Sequence, residues 1–332
     1  MNVTVQAIEN VRLAGVFAAL PKTSEDNLSR CLALYGSESK AASVVKATGI
    51  KNRRVATNGT SSLDLCVSAA RRAIMECAIR PEDIGAIICV TFTPERSMPC
   101  NACQAQRQLC LPNDIIAFDV GLACSGYAYG LYLAGLLARQ TGKRVLLLDG
   151  DVQTSHVSAT DKDTVPVLAD AGTATIIEPA ENQSSWKFSF MSKGEDGEAL
   201  TLPFGGNISM DGFSVFRFVA MDVVTFLKSF LSEIGEPIAS FDAFIPHQAN
   251  VYMIEQLAKS LGVQREKLWV SGDEVGNSAS ATVPVTMALV GGNASPAQRR
   301  FLISGFGGGL SASVALLHAD AQTKFVCFDY DD

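Results

Sequence analysis

The sequence is poor in charged residues and in histidine. Of its 332 residues, 18% are charged and three are histidines, whereas 48% are hydrophobic. This balance excludes an intrinsically disordered chain, which combines low hydrophobicity with a high net charge. The 34 acidic residues outnumber the 27 basic ones. The resulting net charge of −7 argues against a nucleic-acid partner, because proteins that bind DNA or RNA present a basic face.

The sequence also shows neither the pattern typical of a leader segment nor a long hydrophobic run. Its first residues show no charged segment followed by an apolar stretch and a small-residue cleavage site, so we predict no secretory signal. The most apolar stretch, residues 123–138, is shorter than the roughly 20 residues that span a bilayer. We therefore expect a cytoplasmic chain without a membrane span.

The cysteines do not follow a disulfide or zinc-binding pattern. Their number, nine, is odd, and several have apolar neighbours, which is typical of reduced thiols used as small hydrophobic residues. Cys100 and Cys103 form a C-x-x-C pair with neither a second pair nor a nearby histidine. We interpret this pair as the start of a half-buried helix and predict no metal ion and no cofactor.

Strand and helix patterns alternate along the chain, and their order recurs. The predicted strands of the first half lie at 84–90, 115–120, 144–149 and 172–177, and those of the second half lie at 241–245, 268–270, 300–304 and 311–317. Helical patterns separate them, and those of the second half include about 215–234 and about 251–261. This alternation predicts mostly parallel sheets covered by helices. We predict an α/β fold built from two copies of one unit, 1–178 and 179–332. An ordinary doubly wound pair without duplication is the alternative.

A cysteine lies where a predicted strand passes into a long apolar helix. Cys124 stands in the segment 121–126, among small residues that leave a thiol approachable. The start of a helix attracts negative charge, which favours the reactive thiolate. Because cysteine is often buried, a core cysteine at a tight turn is the alternative.

Three segments of the second half follow strands, at the loops where α/β folds carry their chemistry. His247 is the one histidine of the three in such a place. Asn277 occupies in the second copy the position of Cys124 in the first, so we expect the two to face each other across a crevice. The glycine run 305–309 lacks the lysine of a phosphate loop and favours close backbone approach to a reacting carbonyl. A structural histidine and a helix-capping asparagine are the alternatives.

Together these segments resemble the condensing enzymes of the thiolase superfamily, and most closely 3-oxoacyl-[acyl-carrier-protein] synthase III. The resemblance covers essentially the whole chain. It rests on four motifs, which are Ala-Cys-Ser-Gly at 123–126, Pro-His-Gln-Ala-Asn at 246–250, Gly-Asn at 276–277 and Gly-Phe-Gly-Gly-Gly at 305–309. It implies a five-layered αβαβα fold, a homodimer and an acyltransferase of fatty-acid or polyketide biosynthesis.

The resemblance also implies a role for each residue. Cys124 would accept an acyl group from an acyl thioester, on a carrier protein or on coenzyme A. His247 and Asn277 would hold a malonyl thioester, whose enolate attacks the acyl group after CO₂ is lost. The backbone N–H groups of Cys124 and Gly308 would form the oxyanion hole. Glu95 is the one nearby candidate for the glutamate base of hydroxymethylglutaryl-type synthases. Acyl transfer to an alcohol or amine, and a non-catalytic partner subunit, are the alternatives.

Positions around the site depart from the family pattern or carry further roles. Ser43 and Lys162 replace the tryptophan and arginine that hold the adenine of coenzyme A, which favours a carrier protein or another thioester donor and a specialised pathway. Arg217 and Lys259 match docking positions for an acidic acyl carrier protein, with solvated helix charges as the alternative. Met98 matches the residue that the partner subunit extends into the acyl tunnel, with interface packing as the alternative.

Overall fold

The structure is a computed structural model, and it describes residues 1–57, 59–181, 185–294, 297 and 299–331. Its strands are β1 (Gln6–Ile8), β2 (Val11–Leu20), β3 (Ser24–Asp26), β4 (Asn52–Arg54), β5 (Ile84–Val90), β6 (Ile116–Val120), β7 (Arg144–Val152), β8 (Asp170–Pro179), β9 (Trp186–Ser192), β10 (Leu200–Thr201), β11 (Ser209–Met210), β12 (Ala243–Pro246), β13 (Arg299–Gly307), β14 (Ser311–Ala319) and β15 (Lys324–Asp329). Its α-helices are α1 (Asn27–Tyr35), α2 (Glu38–Thr48), α3 (Ser62–Glu76), α4 (Asn101–Gln108), α5 (Gly126–Thr141), α6 (Gly212–Phe218), α7 (Val224–Ile234), α8 (Val251–Leu261), α9 (Gly272–Val275) and α10 (Thr282–Gly292).

Two mixed sheets have matching strand orders. The first sheet has the order β15-β2-β8-β7-β5-β6, and the second has β1-β9-β14-β13-β12. In the first sheet β5 and β7 are parallel, and the next two pairings, β7 with β8 and β8 with β2, are antiparallel. In the second sheet β12 and β13 are parallel, and the next two pairings, β13 with β14 and β14 with β9, are again antiparallel. The second sheet therefore repeats the first over these strands, which confirms the predicted duplicated α/β architecture.

The second sheet has no counterpart of β6 among the described residues, and its edge strand β1 is antiparallel to β9, whereas β15 is parallel to β2. The prediction of mostly parallel sheets is wrong for the second sheet, in which β12 with β13 is the one parallel pair of described strands.

Helices α5 and α10 lie between the two sheets. Their apolar side chains, such as those of Leu131 and Met287, belong to one core with inward-facing residues of both sheets. Helices α3 and α4 cover the outer face of the first sheet, and α7 and α8 cover the outer face of the second. The layers are thus α, β, α, β and α, which confirms the predicted five-layered fold.

The two sheets exchange their terminal strands. Strand β1, near the amino terminus, pairs with β9 of the second sheet, whereas β15, near the carboxyl terminus, pairs with β2 of the first. Each half therefore completes its sheet with a strand from the other, and the two sheets share one core. The boundary between residues 178 and 179 stays a prediction.

Two predicted elements of the second half are wrong. Residues 268–270 do not form a strand, because Leu268 makes only an isolated bridge with Phe244. The helix predicted from about 215 to 234 begins earlier and is divided into α6 and α7 by a π-helical turn at Val219–Val223. Both errors arise where a short apolar pattern does not specify how the backbone hydrogen bonds are made.

Within the described residues, no helix reaches the length and hydropathy that crossing a bilayer requires. In the same part of the chain, the His, Cys, Asp and Glu side chains form no group of three or more that could hold a metal ion. All nine cysteines are free. Cys100 immediately precedes α4, and Cys103 is exposed in the first turn of that helix.

Candidate active site

A cavity of about 450 Å³ lies between the two halves and contains four of the predicted site residues. Cys124, His247, Asn277 and Gly308 all line it. Its remaining lining is mostly apolar, and among the described residues that form it none has a charged side chain. The cavity therefore suits an uncharged chain.

Cys124 is held between the end of a strand and the start of a helix. Strand β6 ends four residues before it, and α5 begins two residues after it. The cysteine keeps some exposure, towards the cavity, although protein atoms enclose the sulfur. The glycine run packs directly against it, because a Cβ atom on Gly305 would lie 2.6 Å from the Cys124 carbonyl oxygen. Only glycine permits this approach.

Burial keeps the Cys124 thiol protonated at rest. Burial raises its pKa to about 12, and the negative charge of Asp151 adds to the rise. The backbone N–H groups of Cys124 and Gly308 both donate towards the sulfur and offset part of the increase. The helix start predicts a favoured thiolate, whereas burial of the sulfur raises the pKa of the thiol.

His247 follows β12 and is held neutral in the cavity wall. Its ring is 2% exposed, and its Nδ1 lies 2.8 Å from the Oγ1 atom of Thr282 at the start of α10. Burial lowers the pKa of His247 to about 4, and the Ala279 backbone offsets only part of this. The Thr282 hydroxyl has one proton and lies 2.8 Å from both Nδ1 and the Ala279 carbonyl. When that proton is donated to Nδ1, Nε2 carries the ring proton and can donate to a ligand; when it is donated to Ala279, the ring proton is on Nδ1.

Asn277 precedes α10 with its side chain oriented by two backbone groups. Its Oδ1 accepts a hydrogen bond from the Ala279 N–H at 2.9 Å, and its Nδ2 donates to the Ala249 carbonyl at 3.3 Å. Its own carbonyl accepts from the N–H of Ala169 at 2.7 Å, which ties the loop to the first half of the chain. The side-chain amide of Asn277 has two N–H donors. One of them has no acceptor among the described residues and is therefore available to a bound carbonyl group.

The other predicted site residues lie outside the cavity lining. Met98 is 83% exposed. Arg217 is exposed on α6 and borders a depression with several acidic residues, which are Glu195, Asp196, Glu198, Asp211 and Asp222. Lys259 is exposed on α8. Glu95 accepts a hydrogen bond from Ser61 Oγ at 2.5 Å, at the start of α3, and its placement does not support a base in the cavity.

Helix α1 lies against the loop that carries Lys162. The Tyr35 hydroxyl donates to the Lys162 carbonyl at 2.8 Å, and the Lys162 ammonium lies 5.5 Å from the centre of the Tyr35 ring. Asn27 donates to the Pro166 carbonyl at 2.9 Å. The same loop continues to Thr164 and to the cavity wall. Ser43 is exposed on α2.

Thr282, which contacts His247, and Asp151, whose charge raises the pKa of the Cys124 thiol, were not predicted from the sequence. Thr282 lies in the serine- and alanine-rich run after Asn277. Its short distance in sequence from Asn277 is the one feature that could have indicated a place near the site. Asp151 lies in a strand pattern, where a carboxylate within an apolar run is itself a signal, because an unpaired buried charge is costly.

Replacing Gly307 by alanine is expected to slow alkylation of Cys124 by iodoacetamide about tenfold or more. A Cβ atom on Gly307 would lie 2.9 Å from the Cys124 sulfur, which is too close for either to remain in place. Overpacking of this kind costs about 1–3 kcal/mol, and about 1.4 kcal/mol corresponds to tenfold in rate. The measurement is the rate at which the Cys124 peptide gains mass.

Gly308→Ala is the matched control for that variant. Its added Cβ would make an ordinary contact of 3.5 Å with Ala123, and its backbone N–H is retained. We expect the control to react at nearly the wild-type rate. An unchanged rate for Gly307→Ala would show that the glycine run does not pack against the sulfur as the structure describes.

Comparisons with known proteins identify a family to which this sequence is similar. Residues 118–195 match the family model of 3-oxoacyl-[acyl-carrier-protein] synthase III, and residues 231–319 match the model of its C-terminal part. The beta-ketoacyl-[acyl-carrier-protein] synthase III of Natranaerobius thermophilus is 31% identical over 295 residues, which are 82% of this chain and 89% of that protein. A homologue of that type from Streptomyces coelicolor is 31% identical over 81% of this chain and 86% of its own.

A solved structure extends the similarity to the whole fold. The 3-oxoacyl-(acyl-carrier protein) synthase from Burkholderia xenovorans superimposes with a TM-score of 0.94, at 29% identity, over 99% of each chain. The matched family models include the segments that carry Cys124, His247 and Asn277. From its sequence and its fold, this chain belongs to the 3-oxoacyl-[acyl-carrier-protein] synthase III family of thiolase-like acyltransferases.

Proposed function

We propose that this chain makes a 3-oxoacyl thioester by decarboxylative Claisen condensation of an acyl group on Cys124 with a malonyl thioester. The carrying observation is that the Cys124 thiol, the His247 ring, the Asn277 amide and the Gly308 backbone line one apolar cavity. A thiol supplies a nucleophile that is also a good leaving group, and the three other groups supply hydrogen-bond donors.

In the first half-reaction, the Cys124 sulfur attacks the carbonyl carbon of the acyl donor. The new C–S bond forms as the bond to the donor sulfur breaks, and the proton of Cys124 leaves with the donor thiol. The N–H groups of Cys124 and Gly308 donate to the oxygen while it is negatively charged. Burial raises the pKa of the thiol, and stabilisation of the negatively charged oxygen by these donors offsets part of the cost of forming a thiolate.

In the second half-reaction, His247 and Asn277 hold the carbonyl oxygen of the malonyl thioester. The apolar wall, including Phe306 with its ring centre 5.3 Å from that of His247, leaves the malonyl carboxylate poorly solvated. CO₂ departs, and its bonding electrons form an enolate that the two donors stabilise. The enolate carbon attacks the acyl carbon, the Cys124 sulfur leaves, and it regains a proton.

A second copy of the chain is proposed to complete the acyl tunnel. Strand β6 is an edge strand of the first sheet and is more exposed than the fully buried β5, with Ile116 42% exposed. The exposed Met98 lies close to this edge, because the Asn101 N–H donates to Asp119 of β6 at 2.7 Å. Pairing of the two β6 edges in a homodimer would bring Met98 of each copy towards the other's cavity.

An acyl carrier protein is proposed as the acyl donor and as the carrier of the malonyl group. Arg217 and Lys259 are exposed cations that an acidic carrier could contact, although the acidic residues around Arg217 weaken that part of the surface. Lys162 is engaged with Tyr35, and Ser43 has no aromatic ring for stacking on adenine. These features favour a carrier-bound donor and a specialised pathway. The nine free cysteines support a cytoplasmic location.

The test supplies the same acyl groups on coenzyme A and on a carrier protein. We expect the Cys124 peptide to gain the acyl mass, faster from the carrier, and we expect malonyl carrier protein then to release CO₂ and a 3-oxo product. Acylation without CO₂ would contradict condensation and favour transfer to an alcohol or amine. Absence of acylation from every donor would instead indicate a non-catalytic partner subunit.

A further inference from the structure

Two carboxylates are buried behind Cys124. Asp149 and Asp151 are 0% exposed, and because they are two residues apart on β7 they lie on the same face of that strand. Asp149 accepts a hydrogen bond from Ser280 Oγ at 2.6 Å, in the turn that leads into α10. Buried carboxylates are costly unless they serve as hydrogen-bond acceptors or are kept protonated, so their presence beside a reactive thiol requires a reason.

Asp151 fixes a segment of the cavity wall. Its Oδ1 accepts from the hydroxyl groups of Thr91 and Thr93 at 2.8 and 2.9 Å, and from the N–H groups of Phe92 and Thr93 at 2.9 and 3.0 Å. One carboxylate oxygen therefore binds three consecutive residues, 91–93. The middle one, Phe92, lines the cavity together with Cys124.

The second oxygen of Asp151 has a different environment. Oδ2 is buried and accepts no hydrogen bond from any described residue, and the same holds for Oδ2 of Asp149. A carboxylate oxygen without a donor carries a large desolvation cost when it is ionised and a small one when it is protonated. The surroundings of Asp151 therefore suit a carboxyl group that can gain and lose its proton. They do not suit one that is always ionised.

The charge of Asp151 acts directly on Cys124. After burial, it is the strongest of the influences that raise the pKa of the thiol, and Asp149 contributes less. The groups that face Asp151 from the segment after β5 are the neutral hydroxyls and amides of residues 91–93. On the neighbouring strand β8, the carboxylate of Asp170 accepts hydrogen bonds from the backbone N–H groups of Ala56 and Thr154. Burial raises the pKa of Asp151 to about 7, so its charge changes near neutral pH.

We propose that Asp151 is a positioning residue that sets the nucleophilicity of Cys124, holding the wall segment 91–93 with one oxygen and suppressing the thiolate whenever its carboxyl group is ionised. The proposal rests on the assignment of Cys124 as the nucleophile. Protonated Asp151 permits deprotonation of the thiol, whereas ionised Asp151 opposes a second negative charge in the same dry space.

Asp151→Asn separates these two roles, because the asparagine Oδ1 can still accept the four hydrogen bonds but has no charge. The rate of Cys124 alkylation by iodoacetamide is measured by peptide mass between about pH 6 and about pH 9. In the wild-type protein, ionisation of Asp151 as the pH rises through about 7 raises the pKa of the thiol and holds the rate back. The variant lacks this restraint, so we expect alkylation at about pH 8 to be roughly threefold to tenfold faster.

Asp149→Asn is the matched control, since it replaces the other buried carboxyl group of β7, two residues away on the same strand. Its smaller influence on the thiol predicts a smaller acceleration than that of Asp151→Asn. An alkylation profile of Asp151→Asn that superimposes on the wild-type profile, with an unchanged melting temperature, would overturn the proposal. A larger effect from Asp149→Asn would overturn it as well.

Thr93→Val provides a second route if Asp151→Asn does not fold. It removes a hydrogen bond that lowers the pKa of Asp151 while keeping the charge, so we expect the restraint on alkylation to begin at a higher pH. A profile of Thr93→Val that matches the wild type would contradict the proposal. Alkylation does not require acyl transfer, so this experiment can fail while the proposed condensation stands, and the reverse is also true.

Discussion

Replacing Cys124 by alanine is expected to abolish acylation of the protein and to lower condensation by a factor of about 10⁴ or more. The methyl group cannot form the thioester on which both half-reactions depend. The amides of Cys124 and Gly308 remain in place, so the variant still has an oxyanion site without a nucleophile. Acylation is measured as the mass of the intact protein after incubation with each acyl donor.

Cys103→Ala is the control for that experiment. Cys103 is a free and exposed cysteine on α4 that does not line the cavity. It should be the more accessible of the two thiols to a non-specific acylating agent, so its removal should not change enzymatic acylation. Continued acylation of Cys124→Ala at the wild-type rate would show that another residue receives the acyl group, and the proposed mechanism would then be wrong.

Replacing His247 by alanine is expected to leave acylation of Cys124 almost unchanged while lowering condensation about 100- to 1000-fold. The ring donates to the malonyl carbonyl only in the second half-reaction, so its loss removes one of the two groups that stabilise the enolate. Since burial lowers the pKa of His247 to about 4, the ring stays neutral at neutral pH, and its titration should not shape the condensation rate between about pH 6 and about pH 8.

The two half-reactions must be measured separately to test that assignment. Acylation is read from the mass of the Cys124 peptide, and condensation is read from CO₂ release after malonyl carrier protein is added. His156→Ala is the control, because His156 lies outside the lining of the cavity. Equal loss of both half-reactions in His247→Ala would mean that the ring acts on the thiol, and normal condensation would mean that it has no catalytic role.

Local patterns predict the elements whose ends are marked by specific side chains. Helix α8 spans 251–261 as predicted, because Asn250 caps its first turn and Gly262 ends it in a left-handed conformation. Strand β5 likewise matches the predicted run at 84–90, since a central parallel strand is buried on both faces. The exchange of β1 and β15 was not predictable, because short edge strands carry almost no pattern of their own.

The sequence by itself determined the fold class, the duplication and the residue types placed at strand ends, since periodicity and short motifs are local properties. Only the tertiary structure decided the state of these residues. Cys124, Asp151 and His247 are distant in sequence, yet one dry region raises the pKa of the first two and lowers that of the third. Desolvation and charge interactions depend on which groups surround an atom in three dimensions, so a motif can name the nucleophile but not its protonation state.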